Sequence, residues 1–179
     1  MNYLILVNRQ HALPEDEAVP ALVPVLPQYP GILLEAEAAR QLNRLMDGLD
    51  GWRNILPVSD WRSMEEQTAL YYQSLQENGR EFTEKYVAFP GCSEHQTGLA
   101  IDLGLAGPDV DFIRPAFPDE GICRLFRQRM ADYGFVERYP AGKEAVTGIA
   151  HEPWHFRYVG IFHARRMARR GLTLEEYLS

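Results

Sequence analysis

The stretch GCSEHQTGLAIDLGL, residues 91–105, joins a segment that contains a histidine to an apolar run that contains an aspartate. The apolar run alternates as a β-strand does, which places Asp102 on the face opposite Ile101. Because His95 and Asp102 are seven positions apart, they would lie on opposite faces of one straight strand. They converge only where the chain turns between them, and Gly98 suits such a turn because glycine readily adopts positive φ. The stretch therefore predicts His95 on a loop and Asp102 on the following strand, both directed at one point.

A second segment, GIAHEPWHFRYVG at residues 148–160, adds two histidines and a glutamate. Glu152 and His155 are three positions apart, so a helical turn or a sharp bend before the strand is needed to direct both at one site. A His–Asp–His set beside a free carboxylate suits a catalytic zinc ion, which keeps a fourth position open for water and uses a nearby base. His151 is a rival to His155 as ligand or as a supporting group. The ordinary alternatives are surface ion pairs and histidines packed in the core.

A third segment, SDWRSMEEQ at residues 59–67, predicts the start of a helix with an arginine beside it. Ser63 and Glu66 form a capping-box pattern. Arg62 immediately precedes this helix, so its guanidinium and the helix N-terminus would both attract an anion. The alternative is that Arg62 pairs with Asp60 or Glu66 on the surface.

Length and charge limit the class of protein. The chain has 179 residues, a net charge of −7 and 46% hydrophobic residues, which fits a single domain over residues 1–179 with a substantial core. Nucleic-acid and anionic-membrane surfaces need clustered lysine and arginine. The only basic cluster, ARRMARR at 164–170, is short, and we interpret it as the solvated face of a helix. The composition therefore predicts no nucleic-acid partner.

The N-terminal apolar run YLILV, residues 3–7, is too short for a signal peptide or a membrane span, and no basic segment precedes it. We therefore expect a cytoplasmic protein without a membrane anchor. Cys92 and Cys123 match no metal-binding spacing, so we expect reduced, partly buried thiols. The sequence predicts no particular oligomeric state.

The order of the elements predicts an α+β fold with a mostly antiparallel central sheet flanked by helices. Apolar residues recur at helical spacing across residues 35–50, which predicts a core helix ending near Gly48. The connection from Pro14 to Pro30 shows too little periodicity for a helix, and we interpret it as irregular. The other expected elements are strands at 3–7, 54–59, 99–105 and 154–159, helices at 64–77 and 122–133, the latter closed by Gly134, and two short C-terminal helices, the last with Thr173 and Glu176 as a capping box.

The three motifs together resemble a known family. SEHQTGLAID fits the pattern Ser-x-His-x-x-Gly-x-Ala-x-Asp, EPWH fits Glu-x-x-His, and WRSMEEQ fits Tyr-Arg-Ser-x-x-x-Gln after its first residue. Over about residues 55–160 the chain resembles the bacterial zinc D-alanyl-D-alanine carboxypeptidases and dipeptidases of the VanY, VanX and VanXY type. Within them it is most similar to the soluble bifunctional VanXY group associated with vancomycin resistance. The resemblance implies the fold shared with the hedgehog signalling domain. It also implies small peptide substrates, namely D-Ala-D-Ala and the pentapeptide precursors of peptidoglycan.

The resemblance further implies a role for each matching residue. The implied ligands of Zn²⁺ are His95, Asp102 and His155. The implied catalytic residues are Glu152, as general base and then acid, and Arg62, as the group that stabilises the oxyanion. The implied substrate-binding residues are Ser93 and Gln67, for the terminal carboxylate, and Trp154, for the pocket wall.

Several features near Arg62 and in the loop at 104–120 bear on the choice of substrate. The chain departs from the family pattern at Asp60 and Trp61, where glycine and tyrosine are usual. Ser59, three residues before Arg62, is small and neutral, which favours an open end that tolerates a longer peptide. The loop is long for a compact domain. If it closes over the site, its acids or Asp60 would pair with the ammonium of a free dipeptide; the loop acids are Asp109, Asp111, Asp119 and Glu120. The alternative is a solvated loop without such a role.

Two other functions stay open at this point. A non-catalytic zinc-binding module of the same fold would need the ligands but neither Glu152 nor Arg62. An endopeptidase acting on assembled peptidoglycan would need export, and no export signal is visible. The presence of both residues favours the enzyme.

Overall fold

The structure is a computed structural model, and it describes residues 2–14 and 21–179. The strands are β1 Leu22–Leu26, β2 Tyr29–Glu35, β3 Ile55–Ser59, β4 Ala100–Leu105, β5 Phe135–Tyr139 and β6 Glu152–Tyr158. The helices are α1 Ala36–Asp47, α2 Met64–Tyr86, α3 Gly121–Met130, α4 Glu144–Thr147, α5 Ile161–Arg170 and α6 Leu174–Leu178. Short 3₁₀ turns lie at Gly51–Arg53, Glu94–Thr97 and Ala131–Tyr133.

The central sheet has four strands in the order β3-β4-β6-β5, and β1 and β2 form a separate two-stranded sheet. All strand pairs are antiparallel, which confirms the predicted α+β class. Ile101 of β4 and Phe156 of β6 belong to the same buried cluster as Leu42 of α1 and Phe126 of α3. These two helices therefore cover one face of the sheet. The alternation of the strands leaves Asp102 and His155 on the other face.

The predicted core helix is α1, and its apolar stripe is buried as expected; the buried residues include Ala38, Leu42, Leu45 and Met46. The helix ends before Gly48, as predicted. Its N-terminus is capped by Glu35, whose carboxylate accepts from the backbone N–H of Glu37 and Ala38. Such a cap satisfies amide groups that have no partner inside the helix.

The helix predicted at 64–77 begins at Met64, after the Ser63–Glu66 capping box. Gly79, with φ of 79° and ψ of 171°, interrupts it, and a second helical stretch continues to Tyr86. The prediction was therefore right about the start and the first segment, and it missed the second segment. That second segment matters because Tyr86 and the residues after it reach the cavity described below.

The expectation of a strand at residues 3–7 was wrong. Val7 is fully buried and Tyr3 and Ile5 pack against the main core, so the apolar pattern correctly indicated burial. However, the carbonyl oxygens of Tyr3 and Ile5 accept hydrogen bonds from the guanidinium of Arg157, at 3.2 and 2.9 Å. A side chain thus takes the place of a neighbouring strand.

The expectation of an irregular connection from Pro14 to Pro30 was also wrong where it can be compared. Residues 15–20 lie outside the described residues, but β1 and β2 form a hairpin in which Leu26 pairs with Tyr29. Pro24 pairs with Leu33 inside it. A two-stranded sheet consists of edge strands only, and edge strands tolerate proline.

The C-terminal third follows the predictions closely. Gly134 closes the α3 segment with φ of 88°, and a Cβ built there would come within 2.5 Å of the Tyr158 ring, so both the backbone and the packing require glycine. Thr173 and Glu176 form the predicted capping box of α6. The arginines of the basic cluster on α5 are exposed, as expected for a solvated face.

Both cysteines are free thiols, Cys92 partly exposed and Cys123 buried. Within residues 2–14 and 21–179, every helix is too short or too polar to cross a membrane.

Candidate active site

The predicted turn between His95 and Asp102 is present. Residues 94–97 form a 3₁₀ turn that ends at Gly98 in the left-handed conformation, with φ of 69°. The Gly98 N–H donates to the His95 carbonyl at 3.2 Å. The turn brings the His95 ring back over β4, where Nε2 lies 3.4 Å from Asp102 Oδ2.

Strand pairing places three of the predicted site residues in one row across the central sheet. Asp102 on β4 pairs with Ser59 on β3 and with His155 on β6. The β3–β4 register shifts by one residue between Pro57 and Ser59. Without this bulge Ser59 would pair with Ile101 and face the core, because a one-residue slip moves a side chain to the other face.

A second bulge directs Glu152 and His155 at the same site. Between the pairs Glu137–Phe156 and Tyr139–Glu152, β6 has three residues where β5 has only Arg138. On a regular strand, residues three apart face opposite ways, but here Glu152 Oε2 lies 3.9 Å from His155 Nδ1. The predicted sharp bend therefore exists, within the strand rather than before it.

His95, Asp102 and His155 each offer a ligand atom, and these atoms lie within 4.8 Å of one another. His151 lies outside this group: it is partly exposed, and its Nε2 is 3.3 Å from Glu137 Oε1. The structure therefore places His155, and not His151, beside His95 and Asp102. Asp102 Oδ1 is buried, and His155 Nδ1 lies 2.9 Å from it. Because a buried carboxylate is costly without a charged partner, Asp102 suits a cation ligand.

Each imidazole ring has a partner on the nitrogen that points away from Asp102, as is typical of metal-binding histidines. His95 Nδ1 donates to the Asp60 carbonyl at 2.6 Å, which leaves Nε2 free to face Asp102. His155 Nε2 lies 3.5 Å from Glu94 Oε2, which leaves Nδ1 to face Asp102 Oδ1 at 2.9 Å. A partner on the outer ring nitrogen fixes the tautomer of a ligand histidine, so the donor set fits a metal ion.

Burial dominates the electrostatics of the site. It raises the pKa of the Glu152 carboxyl to about 8, an effect that Asp102 and Glu94 reinforce and His155 opposes. Burial would also raise the pKa of Asp102, but the two histidines, His95 first, hold that pKa well below its usual value. A divalent cation among the ligands would lower the pKa of Glu152, because a positive charge favours the ionised carboxylate.

Arg62 is held in the site by two neutral side chains. Its guanidinium donates to Ser59 Oγ at 2.8 Å and to Gln67 Oε1 at 2.7 Å. The alternative surface pairs do not form, because Glu66 serves the capping box and the Asp60 carboxylate accepts from the Leu33 N–H. Gln67 is fully buried and also donates to the Ala88 carbonyl at 2.7 Å. Burial lowers the pKa of Arg62, while Asp102 opposes that decrease.

These side chains line one cavity of about 150 Å³. All of the predicted site residues face it: Ser59, Arg62, Gln67, Ser93, His95, Asp102, Glu152, Trp154 and His155.

The acids of the 104–120 loop do not reach the cavity. Asp111 accepts from the backbone N–H of Ile113 and Arg114, and Asp119 lies 3.5 Å from Arg124. The loop instead presents Phe112 and Ile113, which line the cavity although their side chains are 74% and 64% exposed. In this structure the loop acids therefore lie outside the cavity, and Asp111 serves a local turn. The pairing of a loop acid with the ammonium of a bound dipeptide stays a prediction. The sequence signal for this contact was the apolar pair Phe112 and Ile113 inside an otherwise polar loop.

Sequence reasoning also missed Glu94 and Tyr139. Both line the cavity, and the Tyr139 ring lies 4.9 Å from the His155 ring. Tyr139 follows from the β5–β6 pairing, which the sequence pattern did not predict. Glu94 lies inside the first motif, and a glutamate between two apolar stretches was a signal for a buried charge.

Comparisons with known proteins identify the family. Residues 31–161 match the family described as VanY: D-alanyl-D-alanine carboxypeptidase. The chain is 44% identical over 178 residues to VanXYC of Enterococcus gallinarum, a bifunctional D-Ala-D-Ala dipeptidase and D-Ala-D-Ala carboxypeptidase, with 99% of this chain and 94% of that protein covered.

Solved structures give the same result. The vancomycin resistance D,D-dipeptidase VanXYg, in complex with a D-Ala-D-Ala phosphinate analogue, matches with a TM-score of 0.95 and 51% identity, over 99% of this chain and 70% of that chain. A mutant of the D,D-pentapeptidase VanY from a VanB-type resistance cassette, in complex with Zn(II), matches with a TM-score of 0.84 and 31% identity, over 100% of both chains. The resemblance drawn from the three motifs is confirmed, and the chain belongs to the VanY D-alanyl-D-alanine carboxypeptidase family.

Proposed function

We propose that this chain is a zinc-dependent D,D-peptidase that hydrolyses D-Ala-D-Ala and removes the terminal D-alanine from peptidoglycan precursors ending in it. The observation that carries the proposal is the convergence of the His95, Asp102 and His155 ligand atoms beside the Glu152 carboxylate, in a cavity that Arg62 also lines. The two activities of VanXYC, dipeptidase and carboxypeptidase, support both reactions. The vancomycin resistance context of VanXYg supports a role in glycopeptide resistance.

Zinc is the metal that this donor set suits best. Two imidazoles and one carboxylate are typical of zinc, whereas calcium and magnesium prefer all-oxygen sites. The Zn(II) bound by the VanY relative supports the same choice. Zinc held by these ligands would supply Lewis-acid chemistry, activating water and polarising the scissile carbonyl.

Glu152 is the proton carrier of the proposed mechanism. Its carboxylate takes the proton of the attacking water and then delivers it to the leaving amino group of D-alanine. Without metal, burial raises the pKa of this carboxyl to about 8. A cation held by the three ligands would lower that pKa and favour the ionised carboxylate, which is the form that can accept the proton of water. The ligands themselves cannot serve this role while they bind the metal.

Arg62 stabilises the negative charge that develops on the carbonyl oxygen. Its hydrogen bonds to Ser59 and Gln67 hold the guanidinium in place before substrate arrives, so little reorganisation is needed during the reaction. Neither partner is charged, so the arginine keeps its positive charge for the substrate.

The remaining residues shape the substrate site. Ser93 and Gln67 bind the terminal carboxylate, and Trp154 forms part of the wall. Ser59 leaves the amino end of the substrate without a fixed negative charge, which permits both a free dipeptide and a longer peptide. We propose that residues 1–179 act as one catalytic domain and that the protein works in the cytoplasm, where precursors are made.

The decisive experiment compares two substrates. Zinc-loaded protein is incubated with free D-Ala-D-Ala and with a pentapeptide precursor, and released D-alanine is measured. Release from both supports the proposal, with Glu152→Ala as the matched control. Zinc binding without release from either substrate would instead identify a non-catalytic zinc module. A separate incubation with assembled peptidoglycan, in which soluble peptide fragments are measured, covers the other alternative: fragments without D-alanine release from either soluble substrate would identify an endopeptidase.

A further inference from the structure

A buried group of four charged side chains lies beside the candidate ligand His155. It consists of Glu94, Arg138, Arg157 and Glu175, and we call it the Glu94 network. The side chains of Glu94, Arg138 and Arg157 are 0% exposed and that of Glu175 is 14% exposed. The proposed mechanism uses none of them. Burying charges is costly unless they are paired and hydrogen-bonded, so the arrangement calls for an explanation.

The two arginines bind one oxygen of Glu94 and leave the other free. Arg138 Nε lies 2.7 Å and a terminal nitrogen of Arg157 lies 2.9 Å from Glu94 Oε1. Glu94 Oε2 has no hydrogen bond among the described residues, and the same is true of His155 Nε2. These two atoms lie 3.5 Å apart. The carboxylate is therefore turned so that its free acceptor faces the outer nitrogen of a candidate metal ligand.

The network extends from this carboxylate to the last helix of the chain. Glu175 of α6 binds Arg138 through both carboxylate oxygens, at 2.6 and 2.8 Å. Arg157 is bound on its other side by the carbonyls of Tyr3 and Ile5. Two acids and two arginines balance in charge, and segments near both ends of the chain hold them in position.

We infer that Glu94 is a positioning residue for His155, and that Glu175 acts through Arg138 to hold Glu94 in place. With its Oε2 3.5 Å from Nε2, the Glu94 carboxylate favours the tautomer that carries the proton on Nε2 and leaves Nδ1 to face Asp102 and Glu152. The inference rests on the proposed metal site and extends it. Helix α6, which does not line the cavity, would help to orient a metal ligand through Glu175 and Arg138. Outer partners of ligand histidines typically affect metal affinity about 10- to 100-fold.

The test separates positioning from general stability by keeping the charge. Glu94→Asp preserves the negative charge between the arginines but shortens the side chain, so it should no longer reach His155. Glu175→Gln removes the charge that anchors Arg138. The matched control is Lys143→Met. It removes the ion pair between Lys143 and Glu176 of α6, in which Nζ lies 2.7 Å from Oε1, and it leaves the Glu94 network intact.

Zinc affinity is measured by competition with a chelator, the absorption spectrum is recorded with cobalt in place of zinc, and thermal unfolding is followed after metal removal. We expect zinc affinity to fall about 10- to 100-fold in Glu94→Asp and by a smaller factor in Glu175→Gln, with a changed cobalt spectrum in both. Lys143→Met should match the wild type in affinity and spectrum. If Glu94→Asp does not fold, Glu175→Gln decides the matter alone.

Unchanged zinc affinity and spectrum in the folded variants would overturn the inference, whatever happens to their unfolding temperature. These measurements need no substrate. A wild-type protein that binds zinc but releases no D-alanine would therefore refute the proposed reaction and leave this comparison intact. A wild-type protein that binds no zinc would overturn both.

Discussion

His155 pairs with Asp102 across β6 and β4, and its Nδ1 lies 2.9 Å from Asp102 Oδ1. Sheet register therefore sets the distance between two candidate ligands, and only His95 depends on a loop. A rigid sheet holds side chains more precisely than loops do, which is what a metal site with demanding geometry needs.

The first prediction concerns metal content. His95→Ala and His155→Ala should each lose most of the zinc, about one ion per chain, because a catalytic site has only three protein ligands. His151→Ala is the matched control and should keep its zinc, since His151 faces Glu137 instead. Metal analysis of the purified variants checks this. Full retention of zinc in both His95→Ala and His155→Ala would refute the ligand set.

The second prediction concerns the base. Glu152→Ala should fold, keep its zinc and lose about 10²- to 10⁴-fold in kcat, the usual contribution of general acid–base catalysis. D-alanine release by a metal-loaded variant is the measurement. Near-normal turnover would show that another group takes the proton.

The third prediction follows from the raised pKa of Glu152, about 8 in the folded protein against an ordinary value of 4.5. Below the ordinary value both the folded and the unfolded state hold the proton, so Glu152 makes no pH-dependent contribution to stability. As pH rises toward 8, the unfolded chain ionises first, and the wild type loses stability. Metal-stripped Glu152→Gln should therefore become more stable than the wild type over this range, by a few kcal/mol at most. Denaturant unfolding at pH 4 and pH 8 tests this; a constant difference would contradict it.

The fourth prediction concerns Arg62. Arg62→Lys should be nearly as impaired as Arg62→Ala, because the single nitrogen of an ammonium does not reproduce the planar guanidinium, whose two terminal nitrogens bond Gln67 and Ser59 separately. Loss of one oxyanion donor typically costs about 10²- to 10³-fold in kcat. Arg53→Lys, at an exposed arginine, is the control. Wild-type activity of Arg62→Lys would indicate that charge alone matters.

Local signals in the sequence predicted much of the site. Gly98, the Ser63–Glu66 capping box and the alternation around Asp102 each depend on neighbours within a few positions, and each is present as predicted. The bulge in β6 that directs Glu152 inward depends on pairing with β5, which no local pattern encodes. The 3–7 segment was mistaken for a strand for the same reason, since Arg157 supplies its partners from far along the chain.

The fifth prediction concerns the choice between dipeptide and longer peptide. Phe112 and Ile113 line the cavity while largely exposed to solvent, so they stand at its open end. We expect a free dipeptide to lie wholly beneath them, whereas a longer peptide would extend past them into the solvent. Their apolar surface therefore excludes water from the dipeptide complex more completely.

Replacing both with alanine should lower kcat/KM for D-Ala-D-Ala by about 10-fold or more, from the burial of roughly one to two large side chains. Hydrolysis of an N-acylated peptide ending in D-Ala-D-Ala should fall much less. Asp109→Asn, in the same loop at an exposed position, should change neither rate, because the loop acids do not line the cavity. A selective loss of dipeptide hydrolysis in Asp109→Asn would instead show that a loop carboxylate pairs with the substrate ammonium. Equal losses for both substrates in the alanine variant would show that the loop encloses the site without selecting among peptides.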